Sequence, residues 1–171
     1  MTQDISLLTD SFLFQSTFWP KSQFYDKQAE IIESVRDNYI TVVHAGNKLG
    51  KDYISAFIGL HFFCSRQPAR VITSSVDHNQ LEAVLWGEIR NFTRTAEYPL
   101  PIVENHLKLR QLMPDGTVHG QSEMIGRVVE KGEGLLGRHL PHGPGGQPRV
   151  LAIIDEASGC DDENFKPVTT W

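Results

Sequence analysis

Residues 40–52 read Ile40-Thr41-Val42-Val43-His44-Ala45-Gly46-Asn47-Lys48-Leu49-Gly50-Lys51-Asp52. The first four are apolar or β-branched, too few for a helix and too apolar for a loop, so they predict a buried strand. Beyond the loop, apolar residues from Tyr53 to about Ser65 indicate a helix. A glycine-containing turn between a strand and a helix that begins at Lys51 is typical of phosphate-binding loops, because backbone N–H groups and the helix N-terminus face the anion.

The loop matches the pattern Gly-x-x-x-x-Gly-Lys-Ser/Thr incompletely. Ala45 stands at the first glycine position, where Gly46 next to it can supply the missing flexibility, and Asp52 stands at the hydroxyl position. The Asp52 carboxylate can hold Mg²⁺ directly or through water, although it brings negative charge close to the phosphates. A structural bend is the alternative interpretation of this segment alone.

A second candidate feature is the acidic pair Asp155 and Glu156. It follows an apolar run, residues 150–154, that predicts a buried strand. Ligands of open α/β sheets lie at the carboxyl ends of strands, and in phosphoryl transfer to water an Asp holds Mg²⁺ while an adjacent Glu orients the water. An acidic turn is the alternative for the pair in isolation, but its place behind the loop in chain order favours an ATP site.

Gln28 lies near the start of a predicted helix, about 20 residues before the loop, and follows Phe24 and Tyr25. A carboxamide can pair with the adenine edge as donor and acceptor, and an aromatic ring can stack on the base. A helix-surface glutamine is the alternative. The order of Gln28 relative to the other two features favours adenine contact.

The rest of the pattern predicts an α/β fold. Helices are expected over 26–38, with Asp26 as N-cap, and over 77–95, and a strand is expected over 70–74. The β-α-β-α order favours a parallel sheet with right-handed crossovers. The apolar face expected for the second of these helices comprises Leu81, Val84, Leu85, Ile89 and Phe92.

Two other regions have a distinct composition. A β-rich insertion at about 97–130 is predicted to hold strands over 107–113, 117–119 and 124–129, with a turn at 114–116. Residues 1–25 are aromatic-rich and predict a lead-in that packs on the core, and residues 132–148 form a loop rich in glycine and proline.

Composition narrows the class of protein. A chain of 171 residues corresponds to about one domain. Its 16 basic and 21 acidic residues leave a net charge of −5, which excludes an overall basic excess. Two isolated cysteines argue against a disulfide scaffold and a cysteine-based zinc site. A basic leader and an apolar run of the ~20 residues that span a bilayer are both missing, so we expect a soluble, cytoplasmic protein with no membrane contact.

Four segments together resemble the ATPase domain of tailed-bacteriophage large terminases. They are Gln28-Ala29-Glu30-Ile31-Ile32, residues 45–52, Glu133-Gly134-Leu135-Leu136-Gly137-Arg138-His139 and Ile153-Ile154-Asp155-Glu156-Ala157-Ser158-Gly159. The last segment, followed by Asp162-Glu163 and Phe165, is the most specific, and the likeness covers about residues 20–171. It implies a P-loop NTPase domain of the additional-strand type, with a mainly parallel sheet flanked by helices and with Lys51 and Asp155 carried by strands at its core.

The resemblance also implies an activity and its partners. The expected activity is ATP hydrolysis that drives double-stranded DNA into procapsids, by an oligomer assembled on a portal protein together with a small terminase subunit. The expected location is the cytoplasm of an infected or lysogenic bacterial host. ATP and Mg²⁺ are the implied cofactors.

Residue by residue, the resemblance makes Lys51 the catalytic phosphate-loop lysine, Asp155 the Mg²⁺ ligand and Glu156 the catalytic carboxylate. Gln28 becomes the adenine contact. Asp52 departs from the hydroxyl residue of the general pattern, and it is a second candidate Mg²⁺ ligand only on the chemistry of its carboxylate. Asn47 or Lys48 takes the place of a basic residue that senses the γ-phosphate. The complete set of implied nucleotide-binding residues is Gln28, Ala45, Gly46, Asn47, Lys48, Leu49, Gly50, Lys51 and Asp52.

The predicted division of the chain is a lead-in over 1–25 and an ATPase domain over 26–171. The coupling segment and the nuclease domain of the family are expected beyond residue 171, so nuclease activity is not expected here. Two alternatives remain. A helicase-like nucleic-acid translocase shares the order of the three features, and a catalytically silent nucleotide-binding or assembly fragment would lack turnover.

Overall fold

The computed structural model describes residues 9–46, 49–128 and 148–160, which form helices and one five-stranded sheet. Helix α4 has three consecutive parts, His78–Gln80, a π-helical turn Leu81–Leu85, and Trp86–Thr95. A 3₁₀ turn, Ala157–Gly159, follows the last strand. The other elements are α1 (Ser11–Phe18), α2 (Asp26–Asp37), α3 (Lys51–Ser65), β1 (Arg70–Ser75), β2 (Ile102–Glu104), β3 (Lys108–Gln111), β4 (Glu123–Val128) and β5 (Val150–Ile154).

The sheet has the order β2-β3-β4-β1-β5 and is only partly parallel. Strands β4 and β5 flank β1 and run parallel to it, whereas the β2–β3 hairpin adds two antiparallel pairings. The expectation of a mainly parallel sheet with the Asp155 strand at its core is therefore wrong. β3 pairs antiparallel with both β2 and β4, and β5 is an edge strand among the described residues. The α/β class and the flanking helices are confirmed.

The segment before the phosphate loop contradicts the prediction most clearly. Residues 40–43 belong to no strand, and Ile40 and Val42 are 57% and 87% exposed. The β-branched run is thus neither buried nor paired within the described part of the chain. Strand preference expresses packing against neighbouring strands, so an apolar run without a neighbour stays outside the sheet.

Helix α3 forms the centre of the core, as its continuous apolar sequence predicts. Phe57 is fully buried and contacts the rings of Phe14, Trp19 and Phe92. Residues 9–25 therefore pack on the core through α1, a helix that the weak periodicity did not predict. Gly59 allows α3 to approach the sheet, since a Cβ there would lie 2.9 Å from Met124 Cε.

Helix α4 lies where a helix over 77–95 was predicted, but only part of the predicted apolar face is buried. Leu81, Leu85, Ile89 and Phe92 are buried, whereas Val84 is 40% exposed and Trp86 is buried instead. The π-helical turn over 81–85 contains more than 3.6 residues per turn, so it shifts the helical phase and turns Val84 outward.

The β-rich region follows the prediction in part. Strands β3 and β4 are confirmed, but 117–119 contributes only the bridge between Leu112 and Val118, and β2 was not predicted. β4 is an integral parallel strand rather than part of an insertion, since it pairs with β1 over six residues. Helix α2 is confirmed, but its N-cap is Tyr25 rather than Asp26. The loop over 132–148 lies almost wholly outside the described residues.

Ion pairs link β1, β4 and β3 near the amino ends of β1 and β4. Glu123 of β4 accepts hydrogen bonds from Arg70 of β1 and forms a 3.0 Å ion pair with Lys108 of β3. Burial opposes ionisation of this carboxyl, but the Lys108 hydrogen bond and the Arg70 charge outweigh it and lower the pKa of Glu123. Among the described helices, none combines the length and apolar character needed to cross a bilayer.

Candidate nucleotide site

The turn into α3 has the geometry of an anion site. Gly50 adopts a left-handed backbone with φ of 72° and is the N-cap of α3, so Lys51 is the first helical residue. A glycine N-cap offers no side chain to the N–H groups of the first turn, and an anion can take that role. The Gly50 carbonyl accepts the first helical hydrogen bond from Ile54 at 3.1 Å.

Asp155 and Glu156 follow β5 directly, at its carboxyl end. The Asp155 N–H donates to the Ser74 carbonyl at 2.8 Å, which continues the pairing of β5 with β1 past the end of the strand. Glu156 then adopts a left-handed backbone with φ of 52°, a strained conformation for a side chain of its size. Its Oε1 lies 3.6 Å from Lys51 Nζ, so the tertiary structure brings together two residues that are distant in sequence.

The electrostatics of the site centre on Asp155. Partial burial raises the pKa of Asp155 above its ordinary value, and the negative charges of Asp52 and Glu156 raise it further. Lys51 opposes this effect without cancelling it. Three carboxylates thus share one ammonium group, and an additional cation would relieve their repulsion.

Gln28 and Tyr25 pack on the loop from α2 and the residue before it. Gln28 is buried, and its amide lies so close to Gly50 that a Cβ on Gly50 would be 2.9 Å from Nε2. The Tyr25 hydroxyl donates to the Leu49 carbonyl. Gln28 is therefore not the helix-surface residue of the alternative interpretation, and its contact with adenine stays a prediction.

The remaining predicted residues have varied positions. Ala45 is half-buried in coil, and Gly46 and Leu49 are exposed. Asn47 and Lys48 lie outside the described residues, as do the segment over 133–139 and the Asp162, Glu163 and Phe165 signature.

The structure adds three polar residues that sequence reasoning missed. Gln80 of α4 donates from Nε2 to Asp155 Oδ2 at 3.4 Å. The Ser74 and Ser75 hydroxyls, at the carboxyl end of β1, are buried without a hydrogen-bond partner among the described residues. A polar Thr-Ser-Ser ending on an otherwise apolar strand was the available signal, because buried hydroxyl groups require partners.

Comparison with known proteins adds a distant relation. No protein-family model matches the chain. A probable terminase large subunit of Enterobacteria phage P7 is 29% identical to this chain over 147 residues, which cover 84% of this chain and 28% of that protein. The chain thus spans less than a third of the length of this relative. The similarity indicates that the chain is distantly related to phage terminase large subunits.

Proposed function

We propose that this chain binds and hydrolyses ATP with Mg²⁺, as part of a phage large terminase that drives double-stranded DNA into procapsids. The observation that carries the proposal is the 3.6 Å approach of Lys51, at the start of α3, to Glu156, after β5. A lysine at a glycine-initiated helix and an Asp-Glu pair at the carboxyl end of a strand supply complementary parts of a phosphoryl-transfer site. The distant terminase relation supports the biological role.

The side chains and backbone groups of the site have the chemistry needed to bind Mg²⁺ and the phosphates of ATP. Asp155 and Asp52 offer the carboxylate oxygens that Mg²⁺ prefers. Burial and then the neighbouring negative charges raise the pKa of Asp155, and a cation would offset those charges. Bound Mg²⁺ would supply charge neutralisation at the β- and γ-phosphates. The first turn of α3 supplies N–H donors for phosphate oxygens, and Gln28 with Tyr25 holds the loop against α2.

In this mechanism Lys51 changes partner. Its ammonium group lies 3.6 Å from Glu156 Oε1, and phosphate oxygens of a bound nucleotide would compete for the same charge. Glu156 is then released to orient the attacking water and accept its proton. The ion pair therefore keeps both groups near their places of action.

The wider assembly belongs to the same proposal. Double-stranded DNA, a portal protein and a small terminase subunit would be the partners, and an oligomer in the host cytoplasm would be the working form. These elements rest on the terminase relation alone.

A second candidate is nucleotide binding without turnover. The segment over 40–43 favours this candidate. It precedes the loop but lies outside the sheet, so within the described residues no strand leads into the loop. A helicase-like translocase is compatible with the same site residues.

The test combines nucleotide binding with steady-state ATP hydrolysis, with and without double-stranded DNA. We expect Lys51→Ala to abolish binding and turnover, and Glu156→Gln to keep binding but stop hydrolysis. Lys21→Ala, an exposed lysine in another loop, is the matched control.

The outcomes separate the candidates. Binding without hydrolysis in the unmodified chain would favour the silent fragment, and ATP-dependent strand separation would favour a helicase-like translocase. Hydrolysis that is equally fast in both variants, or a chain that does not bind ATP, would show that the site is assigned wrongly.

A further inference from the structure

A second group of ligating side chains lies where α4 meets the β2–β3 hairpin. It consists of His78, Glu82 and His106, which offer one ligand atom each within 4.8 Å of one another. Glu82 lies between the two imidazoles, with Oε2 3.7 Å from His78 Nδ1 and Oε1 3.6 Å from His106 Nδ1. None of these residues belongs to the nucleotide site.

Local structure holds the three side chains together. His78 and Glu82 are four residues apart at the start of α4, which places them on the same helical face, and Glu82 lies in the π-helical turn. His106 occupies the tip of the hairpin with a left-handed φ of 53°. The hairpin is tied down on both sides, by Asn105 N–H donating to Lys108 O at 2.8 Å and Gly126 N–H donating to Leu107 O at 2.9 Å.

The ligand chemistry is that of a transition-metal dication. Two imidazoles and one carboxylate are typical ligands of zinc and other divalent first-row transition metals, whereas Mg²⁺ prefers oxygen ligands alone. Bonds of about 2.0–2.1 Å in a tetrahedron place ligand atoms roughly 3.3 Å apart. The two separations, one to each Glu82 oxygen, are within a few tenths of an ångström of that value, and the ligand atoms of all three residues lie within 4.8 Å of one another.

Neighbouring charges leave Glu82 able to bind a cation. Arg90 lies 4.0 Å from Glu82 Oε1, but its closer partner is Glu104, at 2.9 Å from Nε. The Arg90 charge is therefore balanced mainly by Glu104. All three ligating side chains are partly or largely exposed, so water can reach the fourth coordination position.

We propose that His78, Glu82 and His106 bind one divalent transition-metal ion of the zinc class, with water completing its coordination. The bound ion cross-links the first turn of α4 to the tip of the β2–β3 hairpin. Because Gln80, two residues after His78, contacts Asp155, the cross-link also restrains an element that reaches the nucleotide site. The proposal is independent of ATP hydrolysis, since none of the three ligands takes part in it.

The test is a calorimetric titration of the chain with Zn²⁺ in excess Mg²⁺, which occupies oxygen-ligand sites. The double variant His78→Ala, His106→Asn removes both imidazoles, and asparagine tolerates the left-handed backbone at 106. His44→Ala removes an exposed histidine elsewhere and is the matched control. Thermal unfolding with and without Zn²⁺ provides a readout that is separate from activity.

We expect the double variant to bind one zinc ion fewer than the unmodified chain and to lose the zinc-dependent rise in melting temperature. Each single variant should weaken binding at least about tenfold, because one of three protein ligands is lost. The His44→Ala variant should bind as the unmodified chain does. An unmodified chain that takes up no zinc, or a double variant with unchanged stoichiometry and affinity, would overturn the proposal.

Discussion

Asp155 carries a charge that the folded chain disfavours. Burial and the carboxylates of Asp52 and Glu156 raise its pKa, so the folded state binds a proton at this group more tightly than the unfolded state does. A raised carboxyl pKa contributes stability at low pH that is lost as pH rises through the folded-state value. At neutral pH the ionised group therefore destabilises the fold.

Asp155→Asn should accordingly stabilise the chain at neutral pH while weakening Mg²⁺-dependent nucleotide binding. The gain should be roughly 0.5 kcal/mol, since solvent screens a half-exposed charge. It should vanish below about pH 4, where both side chains are neutral. Denaturant unfolding at several pH values measures the effect, and a loss of stability at pH 7 would contradict this account of Asp155.

Gly50 combines two restrictions in one residue. Its φ of 72° disfavours side chains, and a Cβ would lie 2.9 Å from the Gln28 amide. The left-handed backbone alone costs a residue with Cβ about 1–2 kcal/mol. The Gln28 contact adds to that cost unless the amide moves.

Gly50→Ala should therefore destabilise the chain by about 2 kcal/mol and weaken nucleotide binding, because the loop is displaced. Gly116→Ala is the matched control, with a similar φ of 81° but no neighbour within 4 Å of the added Cβ. Equal losses of unfolding free energy in the two variants would show that Gln28 does not restrict the loop.

At the scale of elements, the two β-branched runs have opposite environments. Residues 40–43 lie outside the sheet, whereas β1 lies between β4 and β5 with Val71 fully buried. Local strand preference is similar in both, so pairing with neighbours makes the difference.

Threonine substitution distinguishes the two environments at nearly constant shape. Val42→Thr should change the free energy of unfolding by less than about 0.5 kcal/mol, because the side chain already faces solvent. Val71→Thr should cost about 1–3 kcal/mol, because it buries a hydroxyl group. Comparable losses in chemical denaturation would instead place residue 42 in a packed strand.

For the whole molecule, the two ends of the parallel strands differ in their charged and polar side chains. The carboxyl ends hold Asp155, Glu156 and the Ser74 and Ser75 hydroxyls, which have no hydrogen-bond partner among the residues that the structure describes. At the amino ends of β1 and β4, Glu123 is paired with Arg70 of β1 and with Lys108, which lies on the antiparallel strand β3. The first group carries mutually repelling carboxylates and hydroxyls that lack partners in the described part of the chain, whereas in the second group one carboxylate is paired with two cations.

The ion pairs of Glu123 predict a pH dependence of opposite sign to that of Asp155. The lowered pKa of Glu123 adds stability that is present above the ordinary value of about 4.3 and is lost as pH falls through the folded-state value. Glu123→Gln should reduce stability at pH 7 by about 1–3 kcal/mol. It should also reduce the loss of stability on acidification. A variant with the same acid dependence as the unmodified chain would contradict this role.

Sequence alone was sufficient for features with a local cause. The patterns over 53–65, 70–74 and 150–154 predict a helix and two strands that the structure contains, and the Gly50-Lys51 turn predicts where α3 begins. Chain order also predicts a common site for Lys51 and the Asp155-Glu156 pair, and the fold brings Lys51 close to Glu156.

Only the tertiary structure decided what depends on distant partners. Within the described ranges, strand pairing placed β4 beside β1, left β5 at the edge and excluded residues 40–43, although their local sequence favours a strand. The same long-range packing brought Lys51 to Glu156, and His106 to His78 and Glu82. Periodicity reports the exposure that a residue favours, whereas hydrogen-bonded neighbours and side-chain contacts from other parts of the chain determine whether that preference is met.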